Sequence, residues 1–588
     1  MHNLPRIAAR ALLMVCAAML PLTGCYRRAD IYPASATDHT ADSQTTASRD
    51  ADVARAADVA NDARAARDGV SDVRDTRATG EETAGSGSVG SPLGAPVGPF
   101  YRKTGDVMAL PVVEREFRGV WLATVGNMDW PSRRNLTSKQ AQDELLRLLD
   151  TARDLGLNAV IFQIRPMADA FYESSLEPWS DYLTGVSGRA PQPYWDPLAF
   201  AVEQAHARGL ELHAWFNPFR AGFVAKQTPL TASHISQRRP DLIRRYGSYY
   251  WLDPGEPDAR RQAIDVITDV VRRYDVDAVH IDDYFYPYQE RDARGRLIPF
   301  PDEASWAEHG AKTGLGRNDW RRSNIDTFIE QMYFAVRSEK PHVRVGISPF
   351  GIWRPGHPAS VRGLDSYSEL YADTRKWLVN GWADYYAPQL YWRTDAPQQP
   401  YTDLLQWWSE QNPWGRHIWA GNIPNNINDT ARGWRSSEIL EQVRLTREHS
   451  GATGNIHFSA TSLRRNPGGL HEAFRGSIYA APALVPASPW LANGPTPPPS
   501  VSATPDPGLH ATAVYLEPRG EGVARWIVQA RWGDEWETVL LPGRTAEYHF
   551  DWRRGMAPDL IAVRLVDRAG VESDPVMLTL GGNDRSAR

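Results

Sequence analysis

Between residues 117 and 459, short runs rich in β-branched and aromatic residues alternate with amphipathic stretches, and this alternation restricts the fold more than any other feature. The strand candidates are 117–124, 159–165, 211–217, 278–283, 343–349, 385–392, 417–421 and 455–459. Helical patterns lie between them, among them 139–155, 197–208, 258–274 and 324–339. Strand–helix alternation builds parallel βαβ units. Eight such strands predict a closed (β/α)₈ TIM barrel over 106–485, placing the fold in the α/β class. A doubly wound open sheet is the alternative, but no Gly-x-Gly-x-x-Gly turn follows the first strand.

The flanks read differently. A Pro-rich linker is expected over 486–508. Short strand candidates follow at 511–517, 525–531, 535–541, 546–550 and 560–567, and they predict a β-sandwich resembling a fibronectin type III domain over 509–582, with a tail at 583–588. At the other end, Arg6 and Arg10 precede an apolar run over 11–22 that closes on Leu22-Thr23-Gly24-Cys25. This is the order of a secretory signal over 1–24, and the run is too short to span a bilayer. Its ending resembles a bacterial lipobox, which implies cleavage before Cys25 and lipidation there. Two or more acyl chains hold a protein stably on a membrane. Tyr26, rather than an Asp, favours the outer membrane, facing the periplasm. Residues 25–105 have few large apolar side chains and predict a disordered tether. The one other cysteine, Cys16, lies inside the signal, so no internal disulfide is expected in the mature chain. The net charge of −6 is spread without a basic stripe, which argues against nucleic acid as a partner.

Chemistry in a barrel sits at the C-terminal strand ends. The fourth strand candidate carries His280 and Asp282 on one face, because strand side chains alternate, and Asp283 begins the loop beside Asp282. Parallel strands are normally apolar on both faces, so these polar residues mark the barrel mouth. Two carboxyl groups this close do not both ionise easily, and one keeps a proton near neutral pH. Gln163 and Arg165 alternate on the second strand, His213, Trp215 and Asn217 on the third, and Gln389 and Tyr391 on the sixth, with Trp392 following. Amides, Arg and aromatic rings at one mouth suit a sugar. Trp121 and others of the 22 Trp fall near strand ends. No His-x-x-x-His and no grouped Cys and His appear, so neither a metal nor a cofactor is expected.

Several long motifs occur in order: Arg118-Gly119-Val120-Trp121, Gly126-Asn127-Met128-Asp129-Trp130-Pro131-Ser132, Glu177-Pro178-Trp179-Ser180, His213-Ala214-Trp215-Phe216-Asn217-Pro218-Phe219-Arg220, His280 to Pro287, and Gly346-Ile347-Ser348-Pro349-Phe350-Gly351. They resemble the glycosyl hydrolase-like 10 family from about Glu116 to Tyr479. The resemblance implies a barrel and hydrolysis of glycans, in particular peptidoglycan strands stripped of their peptides. By position, Asp282 is similar to the nucleophile of amylase-type barrels, yet the fifth strand offers no carboxylate to serve as acid. The preferred alternative is substrate assistance by a 2-acetamido group. Asp282 orients the amide, Asp283 is the acid, and Tyr391 hydrogen-bonds the oxazolinium intermediate. Gln163, Arg165, His213, Trp215, Asn217, His280, Gln389, Trp392 and Trp121 are the expected substrate contacts. Glu173, Asp181 and Asp395 are the next carboxyl candidates. The competing functions are hydrolysis of another polysaccharide and a silent glycan-binding lipoprotein. Any protein partner of the β-domain is left open.

Overall fold

The computed structural model describes residues 109–224, 229–428, 432–520 and 522–580. The chain divides into units Met1–Ala109 and Leu110–Arg588. Of the first unit only Ala109 is described, so the expected signal, Cys25 and the tether lie outside the described residues, as does the tail.

Eight strands close into a parallel barrel. They are β1 Phe117–Leu122, β2 Ala159–Arg165, β3 Glu211–Phe216, β4 Ala278–Ile281, β5 Arg344–Ile347, β6 Tyr385–Tyr386, β7 His417–Asn422 and β8 Gly454–Phe458. Each pairs with its sequence neighbours and β8 pairs with β1, which excludes the doubly wound alternative. Nearly every strand residue is buried, as helices outside and packed side chains inside require. The first outer helix, α1 Ser138–Asp154, shows why the pattern folds this way. Thr137 and Gln140 form a capping box at its start, and Ala141, Leu145, Leu148, Leu149 and Ala152 make one buried stripe.

Five strands are shorter than expected, and two of them bear on the site. The sixth stops at Tyr386, because Pro388 has no N–H to continue the ladder, although its carbonyl still accepts from Gly421 N at 2.9 Å. The fourth stops at Ile281, which leaves Asp282 and Asp283 just past its end. A further antiparallel sheet of Arg220–Phe223, Tyr249–Leu252 and Ile243–Tyr246 stands between β3 and β4, where the sequence analysis named no strand.

The C-terminal domain is a sandwich of seven strands: β9 Ser500–Asp506, β10 Ala511–Glu517, β11 Val523–Trp532, β12 Glu535–Pro542, β13 Glu547–Asp551, β14 Leu560–Asp567 and β15 Val576–Thr579. One sheet is β9-β10-β13 and the other is β12-β11-β14-β15, in keeping with the fibronectin type III-like expectation. Residues 500–506, read above as linker, form β9. Pro505 is tolerated because β9 is an edge strand that pairs only with β10. Alternation along β11 splits its side chains between two cores. Trp526, Val528 and Ala530 join the sandwich interior. Ile527 instead packs with Val566, Leu484 and Val113 against the barrel side.

That contact lies at the N-terminal end of the barrel, opposite the mouth. Arg525 bonds the Gly209 carbonyl just before β3. Arg568 pairs with Asp275 at 2.8 Å and Asp277 at 3.2 Å, just before β4. Ser488 Oγ lies 3.0 Å from both Arg344 Nε and His417 Nε2, and Trp490 Nε1 donates to Asp384 at 2.8 Å. The outer face of β11 and β14 therefore meets the barrel.

Candidate active site

Inward residues stack in layers up the barrel. Two positions along a strand raise a side chain by about 6.6 Å. His213 and Tyr385 lie in a lower layer, and His280, Trp121 and Trp215 lie above them, all but excluded from solvent. Asn217 and Asp282 follow two positions further up, where the mouth begins.

The mouth is organised around Asp282. Asn217 Nδ2 donates to both its oxygens, at 2.7 and 2.6 Å. The amide cannot be turned over, because its Oδ1 accepts from Gln163 Nε2 at 2.6 Å and Arg220 at 2.9 Å. Gln163 is fixed in turn by the backbone N–H groups of Thr124 and Val125, at 2.8 and 2.9 Å. Asp283 is held differently. The Tyr288 hydroxyl donates to it, and Gln389 hydrogen-bonds its carboxylate. Burial pushes both carboxyl groups up, and the neighbouring Asp283 charge adds to the rise at Asp282, to about 7. Arg220 and the hydrogen bonds oppose the rise without cancelling it. Near neutral pH such a pair holds one proton, so a proton donor and a carboxylate stand side by side.

Beside the pair lies an apolar floor. Trp121, Tyr391 and Phe458 form a triangle of rings with centroids 6.2–6.5 Å apart, and Met128 packs against the same cluster. Tyr391 is only partly buried, as is Trp392, whose ring stands edge-on to Phe350 at 5.7 Å.

The structure thus gathers Asp282, Asp283, Asn217, Gln163 and Gln389 into one network, with Trp121 and Tyr391 in the adjoining floor. Four expected substrate contacts are placed elsewhere. Arg165 is fully buried and bound to Glu177, with Nε–Oε2 at 2.8 Å, and it also reaches the Asn217 carbonyl. His213 and His280 are both fully buried below the mouth. Trp215 is buried among the upper core rings. The reserve carboxyls are engaged away from the pair: Asp181 with Arg134, Asp395 with Arg393, and Glu173 with Tyr194. Sequence reasoning missed Arg220 and Tyr288. Arg220 lay within a quoted motif, and Tyr288 follows Asp283 by five residues, but only the folded loops bring them to the carboxylates.

Residues 116–434 match the family described as glycosyl hydrolase-like 10. The chain belongs to that family. The glycosyl hydrolase YngK of Bacillus subtilis is 41% identical over 395 residues, which cover 66% of this chain and 76% of YngK. The glycosyl hydrolase DigH of Escherichia coli K12 is 36% identical over 313 residues, covering 50% of this chain and 69% of DigH. Among solved structures, the PgaB (BpsB) glycoside hydrolase domain from Bordetella bronchiseptica covers 62% of this chain and 98% of its own, at 17% identity and a TM-score of 0.40. The glycosyl hydrolase-like 10 match spans β1 to β7 and so includes every residue of the Asp282–Asp283 network.

Proposed function

We propose that this protein is a glycosidase that cleaves O-glycosyl bonds in peptidoglycan glycan strands, preferring strands stripped of their peptides. The observation that carries the reading is the buried Asp282–Asp283 pair at the end of β4. Among the described residues, its hydrogen bonds lead to Asn217, Tyr288 and Gln389, and to no third carboxyl. With one acid and one carboxylate available, a substrate that supplies its own nucleophile fits best, and peptidoglycan sugars carry 2-acetamido groups. Asp282, aligned by the locked Asn217 amide, orients the acetamido N–H, so that the carbonyl oxygen attacks the anomeric carbon. The one proton that the pair shares sits on Asp283 once the acetamido N–H meets the Asp282 carboxylate, and Asp283 gives it to the leaving oxygen. Tyr391 then hydrogen-bonds the oxazolinium, and water opens it as Asp283 takes the proton back. The names of YngK and DigH as glycosyl hydrolases support this reading.

The test compares sacculi before and after amidase treatment. Partly buried Tyr391 and Trp392 rings suit the apolar faces of bare sugars, which stem peptides on alternate sugars would crowd. Amidase-treated sacculi are expected to be digested several-fold faster. Equal rates on both would remove the preference for denuded strands.

We also propose a lipid anchor at Cys25 that places the enzyme at the outer membrane, facing the periplasm. The basic residues, apolar run and Leu22-Thr23-Gly24-Cys25 support it. Cys25→Ala should move the protein from the membrane to the soluble periplasmic fraction, and unchanged fractionation would remove the anchor.

A further inference from the structure

A single file of hydrogen bonds runs up the barrel axis from the sandwich end to the mouth. Ser488, whose backbone N–H donates to Ala569 of the sandwich, receives Arg344 Nε at 3.0 Å. Arg344 also grips both oxygens of Glu211, at 3.1 and 3.0 Å. Glu211 lies 3.0 Å from His213 Nε2, and His213 Nδ1 lies 2.9 Å from the Tyr385 hydroxyl. The same hydroxyl lies 2.9 Å from His280 Nδ1, and His280 Nε2 accepts from Trp121 Nε1 at 3.1 Å. The slot for Tyr385 depends on Gly346: a Cβ there would come within 1.9 Å of the Tyr385 ring.

The two ends give the file one direction. An indole N–H can only donate and a carboxylate can only accept. His280 Nε2 must therefore be bare and its Nδ1 must carry the proton, which it donates to the Tyr385 oxygen. The Tyr385 hydroxyl then donates to His213 Nδ1, and His213 Nε2–H donates to Glu211. Each imidazole nitrogen makes one of these bonds, and the Tyr385 hydroxyl accepts one and donates one. Burial holds His280 well below the usual imidazole range and so keeps it neutral.

We propose that this file is a positioning device, in which Tyr385, His213 and His280 lock the Trp121 indole with its N–H turned down into the barrel, so that Trp121 braces Tyr391 at the mouth. Trp121 and Tyr391 stand nearly edge to face, at 6.5 Å and 76°. Trp121 is buried and its N–H is spent, so it acts on a ligand through Tyr391 and not by direct contact. The consequence for catalysis rests on the glycosidase reading; the tautomers do not.

The test uses the full chain labelled with ¹⁵N-histidine and ¹⁵N-tryptophan, with resonances identified through His280→Gln, His213→Gln and Trp121→Phe. At neutral pH, His280 is expected as the Nδ1–H tautomer and His213 as the Nε2–H tautomer. Tyr385→Phe keeps the ring and removes the central oxygen. His280 can then move its proton to Nε2, where it opposes the Trp121 N–H, so the Trp121 indole resonance should shift or broaden. In kinetics, Tyr385→Phe should lower kcat several-fold, and much less in a Tyr391→Phe background. A wild-type His280 that carries its proton on Nε2, or on both nitrogens, overturns the proposal. So does a Tyr385→Phe protein with an unmoved Trp121 signal. If Tyr385→Phe does not fold, the wild-type tautomers decide alone. Loss of glycosidase activity as a reading would leave the tautomer result standing.

Discussion

Asp282→Asn removes hydrolysis of glycan strands while leaving the protein at least as stable as the parent at pH 8. The substitution keeps the shape that Asn217 grips and deletes the charge that orients the substrate amide. The loss in kcat is expected at about 10²–10⁴-fold, the range for groups acting directly on the proton and charge inventory of a reaction. Stability moves the other way. Asp282 binds its proton more tightly folded than unfolded, with a folded value of about 7. Such a group stabilises the fold fully below its unfolded value of about 4. That contribution is lost as the pH rises from about 4 to about 7. At pH 8 the parent therefore holds an ionised, buried carboxylate beside another. Replacing it removes that cost, read as a higher Tm at pH 8 than the parent, with the difference shrinking at pH 4. Asp283→Asn should also be severely impaired, but unevenly: substrates with good leaving groups need little protonation and should be partly spared. A thiazoline analogue should inhibit the parent. A covalent label on Asp282 from a slow fluorosugar would instead assign it as nucleophile and remove the substrate-assisted route.

Glu177→Ala is expected to destabilise the fold by about 3–5 kcal/mol, because it leaves the buried Arg165 guanidinium without its counter-charge. Both side chains are fully buried. The damage should reach the site as well, since Arg165 also holds the Asn217 backbone carbonyl and Asn217 aligns Asp282. Chemical denaturation of Glu177→Ala and of the Arg165→Met/Glu177→Leu pair separates the causes. The double variant removes the stranded charge and should recover much of the stability. If Arg165 instead met substrate, Glu177→Ala would leave the denaturation midpoint unmoved and change KM alone.

Arg165 shows where reading the sequence stops. Alternation placed it on the same inward face as Gln163, and the structure agrees, but its partner Glu177 lies twelve residues further on, beyond the strand. The two histidines show a second limit. A period of two tells which face a side chain takes, not how deep it sits. His280 and Asp282 share a face, yet one step of two residues separates a buried core group from a mouth group. The fourth-strand Asp pair was legible because carboxylates are out of place on a buried parallel strand. Arg220 and Tyr288 were not, because loop paths bring them in. Likewise the Pro-rich stretch before the sandwich hid β9, since a proline on an edge strand costs no ladder bond.

The central claim is that the Asp282–Asp283 pair hydrolyses glycan. Mass spectrometry of purified, peptide-free peptidoglycan strands incubated with the parent and with each Asn variant tests it most directly. The account predicts shorter oligosaccharides with new reducing ends from the parent and almost none from Asp282→Asn or Asp283→Asn. Intact strands after incubation with the parent, or the same products from both variants, would contradict it.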